Sequence, residues 1–301
     1  MSSTEPTLRP TATGPRGRSG DWAAKAAKFL GPTVLLVVFV AVWQLISSNL
    51  SERRKIILPG PGSVFRVGFW NSSSCKVENS GKVTCEQVRS DILHALLQTT
   101  KEAAVGLLVA TIIGVAVAVL MSQARWVERA IFPWAVALQT IPILALVPFI
   151  QIRYGYEFKS RVIVCVIIAV FPILTNTLFG LQSAEDGHHD LFTLHKAGRL
   201  RRLWKLQFPG AMPAIFTGLR ISAGLSVVGA IVGEYFFRRG DPGLGHLIEG
   251  YRRMQSKFDI PSLFATVIYT CLLGVLVFVL FSVAGNLATR RWYEPAGTTR
   301  D

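Results

Sequence analysis

Six stretches of this chain are apolar on every face a helix would present. They run over about 29–48, 94–121, 130–150, 161–181, 212–236 and 262–286. Each reaches the ~20 residues that carry a helix across ~30 Å of hydrocarbon. Lipid cannot satisfy a bare backbone, so each run is expected to be helical. Segments such as V-L-L-V-V-F-V-A-V-W and G-V-L-V-F-V-L-F-S-V-A-G lack the polar stripe of a soluble bundle. The pattern predicts an all-α integral membrane protein with about six transmembrane helices in one domain over residues 29–292. Residues 1–28 read as a disordered tail ending in a short Lys-bearing helix (Trp22, Lys25, Lys28), and 293–301 as a second tail. No small-residue cleavage site follows the first run, so it reads as a retained anchor.

Two runs carry small residues every fourth position: Gly106, Ala110, Gly114 and Ala118 in the second, Gly218, Ser222, Ser226 and Ala230 in the fifth. Such ladders let helix backbones approach closely in lipid, and they predict a tight bundle or subunit interface. Pro133, Pro142, Pro148 and Pro172 are expected to kink or break the third and fourth helices.

Composition agrees with a lipid-embedded chain: 50% hydrophobic and 17% charged residues, with a mean hydropathy of +0.41. The net charge of +14 does not point to nucleic acid, because the basic residues lie between apolar runs, where anionic headgroups meet them. With the N-terminus inside, Lys and Arg divide evenly between the two sides, so charge does not orient the chain. Cys165 and Cys271 lie in apolar runs. Cys75 and Cys85 flank a polar loop, where they form either a disulfide or two free thiols; a disulfide would place that loop on the oxidising side.

Between the fourth and fifth runs lies a basic segment with periodic leucines, D-L-F-T-L-H-K-A-G-R-L-R-R-L-W-K-L-Q-F-P-G-A-M-P, residues 190–213. By itself it reads equally as an amphipathic element on headgroups or as a docking element for a cytoplasmic partner. Pro209 and Pro213 are expected to set the turn into the next helix. This segment resembles the EAA loop of binding-protein-dependent importer permeases: Glu-Ala-Ala, three residues, Gly, nine residues, then Ile-x-Leu-Pro. Counting back from Pro209 puts Lys196 at the glycine position and Asp190, Leu191 and Phe192 at Glu-Ala-Ala. The L-P-G-P-G-S-V-F of residues 58–65 and the G-D-P-G-L-G-H-L-I after the fifth run are also similar to the family. Within it, the resemblance is to taurine, nitrate, alkanesulfonate and pyrimidine-type permeases.

The resemblance implies an importer-permease bundle with a cytoplasmic coupling helix in a loop over 186–211. Asp190, Leu194, His195, Lys196, Ala197, Gly198, Arg199, Arg201, Arg202 and Pro209 would engage a separate ABC ATPase, which would hold the ATP and Mg; the permease itself would need no cofactor. It also implies an extracytoplasmic substrate-binding protein, a permease homodimer, and a bacterial inner membrane location with both termini cytoplasmic. Residues 238–261 would face outward.

Polar groups inside the runs are candidates for the solute pathway. Gln139, Thr140 and Asn176 read either as pathway groups or as helix-to-helix hydrogen bonds. Ser222, Ser226 and Glu234 share a stripe, and Glu234 either lines an outer vestibule or marks a helix end. Lys101 and Glu102 are expected at the outer interface, and Arg220 to reach toward headgroups. No P-loop, zinc-type Cys/His spacing or Gly-x-Ser-x-Gly elbow occurs. His188 and His189 read as solvated rather than as a metal site. An ion-coupled secondary transporter, a membrane-embedded enzyme and a membrane scaffold are the competing readings. The first wants paired mid-membrane acids, which the sequence does not display.

Overall fold

The computed structural model describes residues 20–51, 57–70, 85–184, 186–254 and 259–289; Cys75 and both tails beyond residues 20 and 289 lie outside these. Every regular element among them is helical. The chain forms two compact units, Met1–Pro61 and Gly62–Asp301. The first holds α1 (Gly20–Asn49), in which the basic segment and the first apolar run, read from sequence as separate, are one continuous helix. The chain after it folds back: Trp43 Nε1 donates to the Pro59 carbonyl at 3.0 Å and Ser47 Oγ to that of Leu58 at 3.2 Å.

The second unit contains α2 (Pro61–Gly68), α3 (Cys85–Ser122), α4 (Arg125–Thr140), α5 (Ile143–Tyr154) and α6 (Phe158–Gln182). It continues with α7 (Asp186–Leu194), α8 (Arg199–Arg202), a π-helical turn over Leu203–Gln207, α9 (Phe208–Phe236), α10 (Leu244–Met254) and α11 (Asp259–Thr289). At 38 residues α3 is ~57 Å long, well beyond the hydrocarbon. Its polar first turns, which hydropathy alone leaves out, present a buried stripe of Cys85, Val88, Ile92, Ala95 and Thr99.

The core is α6 clamped between α3 and α9. Against α9, Gly233 meets Arg161, Gly229 meets Cys165, Gly218 meets Ile173 and Gly180 meets Ala211. The pairing runs in opposite sequence directions, so α6 and α9 are antiparallel. Against α3, Gly106 meets Cys165 and Gly114 meets Ile173. Both numbers rise together, so α3 and α6 are parallel. All eight residues of the two small-residue ladders are buried. The first ladder, together with Gly218 and Ser222 of the second, packs on α6, a tight contact within the bundle.

Parallel neighbours require the chain to return across the bundle between them. It does so through α4 and α5, which are bent by 95°. Ile131 and Ala135 of α4 pack near Ala118, Met121, Leu174 and Leu178 at one end. Val147 and Ile150 of α5 pack on Val164 and Phe237 at the other. The third run over 130–150, where prolines are expected to kink or break the helix, is therefore a broken crossing, which brings the candidate crossings among the described residues to six. The break falls at Ile141–Pro142, both extended (ψ 123° and 121°), because proline forces its predecessor out of the helical region and offers no N–H. Pro133, Pro148 and Pro172 do not break their helices. Beside Pro172, Thr175 Oγ1 and Asn176 Nδ2 donate to the Phe171 and Pro172 carbonyls, supplying local hydrogen bonds.

α11 returns antiparallel to α9, with Gly285 against Phe216. Its outer face leaves Leu272, Val275, Leu276, Val279 and Leu280 exposed, as a lipid-facing helix must. At its start Tyr269 stacks on Phe69 and its hydroxyl donates to the Gly68 carbonyl at 3.1 Å.

A test of this packing separates two glycines of α9. A Cβ at Gly229 would lie 2.7 Å from the Cys165 Cα, whereas one at Gly224 would meet nothing within 4 Å. Gly229→Ala is expected to destabilise the purified protein by ~1–3 kcal/mol. Gly224→Ala is expected to be neutral or stabilising; thermal unfolding in micelles compares the two.

Candidate functional site

The basic segment is two helices rather than the single amphipathic element expected. α7 ends in a Schellman turn: the Lys196 N–H bonds the Thr193 carbonyl and the Ala197 N–H that of Phe192, both at 2.9 Å. Lys196 takes φ +50°, the only positive φ at a non-glycine residue among the described ones. Glycine favours this conformation because it has no Cβ. The position counted back from Pro209 as the motif glycine thus adopts the glycine conformation, although a lysine occupies it. His195 Nδ1 lies 2.9 Å from the Leu191 carbonyl, and Gly198 is the extended N-cap of α8.

α8 runs into α9 through the π turn, so no break precedes the fifth crossing. The Phe208 N–H reaches back five residues to Leu203. Pro209 has no N–H for the Lys205 carbonyl and crowds it, and a widened turn relieves that clash. Leu203 is buried against Leu181, Ala211 and Ile215, pinning this turn to the end of α6. Around the pin, Leu191, Leu194, Leu200 and Trp204 are 52%, 79%, 69% and 61% exposed. Asp190, Lys196, Arg199 and Arg201 are exposed among them, while Arg202 donates across the break to Thr193 Oγ1 at 2.9 Å. The result is an apolar ridge with a basic rim.

The pathway candidates do not converge. Gln139 and Thr140 are exposed at the α4 end, with the Thr140 hydroxyl bonded to Ala137. Asn176 bonds within its own helix. Ser222 Oγ donates to the Ala169 carbonyl at 2.7 Å, a tie between α9 and α6. Ser226 lines an apolar cavity of about 430 Å³ together with Thr100, Leu107, Leu273 and Phe281. Arg220, expected to reach for headgroups, lies over the Phe278 ring at 5.4 Å.

At the end of the bundle opposite the basic ridge lies a buried polar cluster. Glu102, expected at an interface, is fully buried and paired at 2.8 Å with Arg161, itself 1% exposed. Glu234 is equally buried and accepts the Gly245 N–H at 2.7 Å. Sequence reasoning missed the Glu102–Arg161 pair because Arg161 stands at the polar edge of its apolar run and its partner is 59 residues away. Its one sequence signal is the i, i+4 spacing of Arg161 and Cys165 on the face that α9 glycines cover. The segment after α9 is laid over the cluster, with the Leu244 N–H on Thr99 Oγ1 at 2.9 Å. Beyond it, Glu249 of α10 receives Arg238, Arg252 and Arg253 within 2.6–2.9 Å. Hydrogen bonds from Arg252 and Arg253 hold its carboxyl far below the usual carboxylate range. His246 is pushed below its ordinary value by burial, then by the charges of Arg161 and Arg238. Cys85 is disulfide-bonded, and Cys165 and Cys271 are free. Among the described residues no group of three or more His, Cys, Asp or Glu is arranged to hold a metal.

Two outcomes follow from this geometry. Lys196→Gly removes the left-handed penalty, ~1 kcal/mol, so amide exchange in α7 is expected to slow about fivefold. Burial and the charges of Arg161 and Arg238 depress His246, so the stability it contributes is present above its ordinary value of about 6.5 and is lost as pH falls below it. The thermal midpoint is expected to drop between about pH 7.5 and 5.5, and less so in His246→Gln.

Residues 110–293 match the family described as the binding-protein-dependent transport system inner membrane component. The formylaminopyrimidine transport permease protein ThiX of Halalkalibacterium halodurans is 31% identical, over 86% of this chain and 94% of its own. The riboflavin transport system permease protein RibX of Chloroflexus aurantiacus is 30% identical over 94% of this chain and 97% of its own. The nitrate import permease protein NrtB of Synechococcus elongatus is 26% identical over 94% and 98%. A solved inward-facing structure of the MetNI methionine ABC transporter has a TM-score of 0.58 at 17% identity, covering 69% of this chain and 99% of the matched one, a likeness of fold. The chain belongs to the binding-protein-dependent transport system inner membrane components, and is the multi-pass permease subunit of an ABC importer.

Proposed function

We propose that residues 190–209 dock this permease on a separate ATPase subunit and pass its motion into α9. The observation that carries the reading is the exposed ridge of Leu191, Leu194, Leu200 and Trp204, rimmed by Arg199 and Arg201. Exposed apolar side chains of this size on a helical protrusion want a complementary groove. The arginines select an acidic surround and fix register. ATP and Mg belong on that partner, because this chain carries no P-loop.

The ridge is assigned to the cytoplasm. It lies at the end of the bundle where α6 finishes and α9 begins, whereas α3 starts beyond the other end at the disulfide-bonded Cys85. An oxidised thiol belongs outside. α11 is antiparallel to α9 and so ends on the ridge side. The 237–254 segment then faces the substrate-binding protein, and a second copy of the permease completes the pathway against lipid. Relatives named for nitrate, riboflavin and formylaminopyrimidine share this scaffold. We accordingly assign solute choice to the binding protein.

The test is charge reversal of Arg199, Arg201 and Arg202 to Glu in the reconstituted importer. ATP-driven uptake is expected to fall at least about tenfold, the effect of losing ~1.4 kcal/mol of docking energy. Wild-type uptake by the triple variant would overturn the docking assignment.

A further inference from the structure

We propose that an anionic phospholipid seats in the groove between α9 and α11, with its phosphate on Arg220 and one acyl chain in the apolar cavity beyond. The observation that calls for it is a cation inside a crossing without a counter-ion. Arg220 lies twelve residues into α9, and its guanidinium touches the Phe278 ring alone, at 5.4 Å. Its Nε is buried and bonded to nothing. None of the acids on the three helices that line the groove serves it. α11 carries no acidic residue after Asp259. Glu234, the only acid of α9, is fourteen residues on, ~21 Å along the helix, and accepts the Gly245 N–H. On α3, Glu102 is taken by Arg161, and Glu86 and Asp91 lie in the first turns at the opposite end of the bundle. A charge held at membrane depth needs a partner, and here that partner comes from outside the chain.

The groove has the two parts an amphiphile needs. Toward the ridge end, a cavity of about 180 Å³ is lined by Thr217 and Arg220 of α9 and by Ser282, Asn286 and Thr289 of α11, with no carboxylate in its wall. The Thr217 and Thr289 hydroxyls donate to carbonyls of their own helices. The guanidinium, the Ser282 hydroxyl and the Asn286 amide remain as donors for a phosphate. Phe281 lines this cavity and also the second one, of about 430 Å³, walled by Leu107, Leu219, Val227, Leu273 and Val277. Phe281 to Leu273 and Leu219 to Val227 each span eight residues, so the apolar cavity runs ~12 Å along the helices. That is most of the ~15 Å depth of one hydrocarbon leaflet.

A small hydrophilic anion would satisfy Arg220 but leave the apolar slot unfilled, whereas an anionic lipid fills both parts. Leu108 and Leu280, 61% and 63% exposed, border the slot, so it opens toward the surrounding lipid. Basic pockets between membrane helices on the cytoplasmic side hold anionic headgroups in this way. A lipid so seated joins α11 to α9 near the ridge end. Its assignment to the cytoplasmic leaflet rests on the orientation proposed above; the binding itself does not.

The experiment uses the intact importer, freed of native lipid in micelles and released for native mass spectrometry with phosphatidylglycerol or phosphatidylcholine added at equal concentration. The wild type is expected to retain one phosphatidylglycerol per permease copy, at least about fivefold more tightly than phosphatidylcholine. Arg220→Gln is expected to abolish that preference. Ala104→Phe, at an exposed position on the wall of the apolar cavity, is expected to weaken both lipids and leave their ratio unchanged. Equal retention of the two lipids by the wild type overturns the proposal even if neither variant folds, and so does an undiminished preference in Arg220→Gln. Glycerol phosphate at matched concentration tests the headgroup without its chains; if it displaces the lipid, the site belongs to a soluble anion and the proposal fails. An importer that retains neither lipid, because a helix of the second permease copy fills the groove, also overturns it. The Arg199, Arg201 and Arg202 variant is expected to bind lipid as the wild type does, so failure of the docking assignment and failure of the lipid site are read separately.

Discussion

The fold depends on how closely α6 approaches its two neighbours. Lipid offers no hydrophobic reward for bringing apolar helices together, so association rests on contact density and on hydrogen bonds between helices. Gly229 and Gly233 present bare backbone to Cys165 and Arg161, and Gly106 and Gly114 do so to Cys165 and Ile173. Ser222 adds a buried hydrogen bond to the Ala169 carbonyl. The same closeness determines what happens at the end of the clamp. Where Gly233 lets α9 sit on the Arg161 backbone, the guanidinium is trapped between α3 and the chain leaving α9. It then has to find all its acceptors there, and it does so in one carboxylate and three carbonyls.

This explains which features were legible in the chain. Small residues every fourth position have one physical use in lipid, and both ladders pack as their spacing implies. Apolar runs located the crossings, but hydropathy ends where charge begins. It therefore truncated α3 at residue 94 and missed the turns from Cys85 that stand clear of the hydrocarbon. Pro142 broke its helix while Pro172 did not; Pro172 lies mid-way along a helix clamped on both sides, with Gly218 of α9 against its own carbonyl. The Glu102–Arg161 pair lies across 59 residues of sequence. Neither partner announces the other, and a lone charge near the end of an apolar run looks the same whether it reaches for water or is buried.

At the basic ridge the register was legible and the conformation was not. Counting from Pro209 identified Lys196 as the glycine position, and its φ of +50° shows that the backbone kept the turn although the side chain changed. The leucine spacing suggested one helix because it runs across the Schellman turn without interruption. Only the geometry distinguishes Leu203, which is buried as an anchor, from Leu194 and Leu200, which point outward.

The two ends of the molecule are mechanically joined. α8, the π turn and α9 form an unbroken helical run over Arg199–Phe236, and its last residues carry Glu234 and lead into the Arg161 staple. A force applied at the ridge meets the π turn first, where Leu203 is held in a small apolar socket and the helix is locally widened. Beyond that point α9 has little freedom to bend, because glycine contacts against α6 hold it from Gly218 to Gly233. Displacement of α9 along or about its axis therefore shears the far end, where Glu234 meets Gly245 and Arg161 meets the chain leaving α9. A rigid rod transmits motion only if both ends have a second arrangement to move into. At the ridge end, that alternative lies in the partner's groove. At the far end, the bonds that must give way are few and polar, those of Arg161 to the Phe237, Arg239 and Asp241 carbonyls and of Glu234 to the Gly245 N–H, so a small displacement of α9 breaks them together.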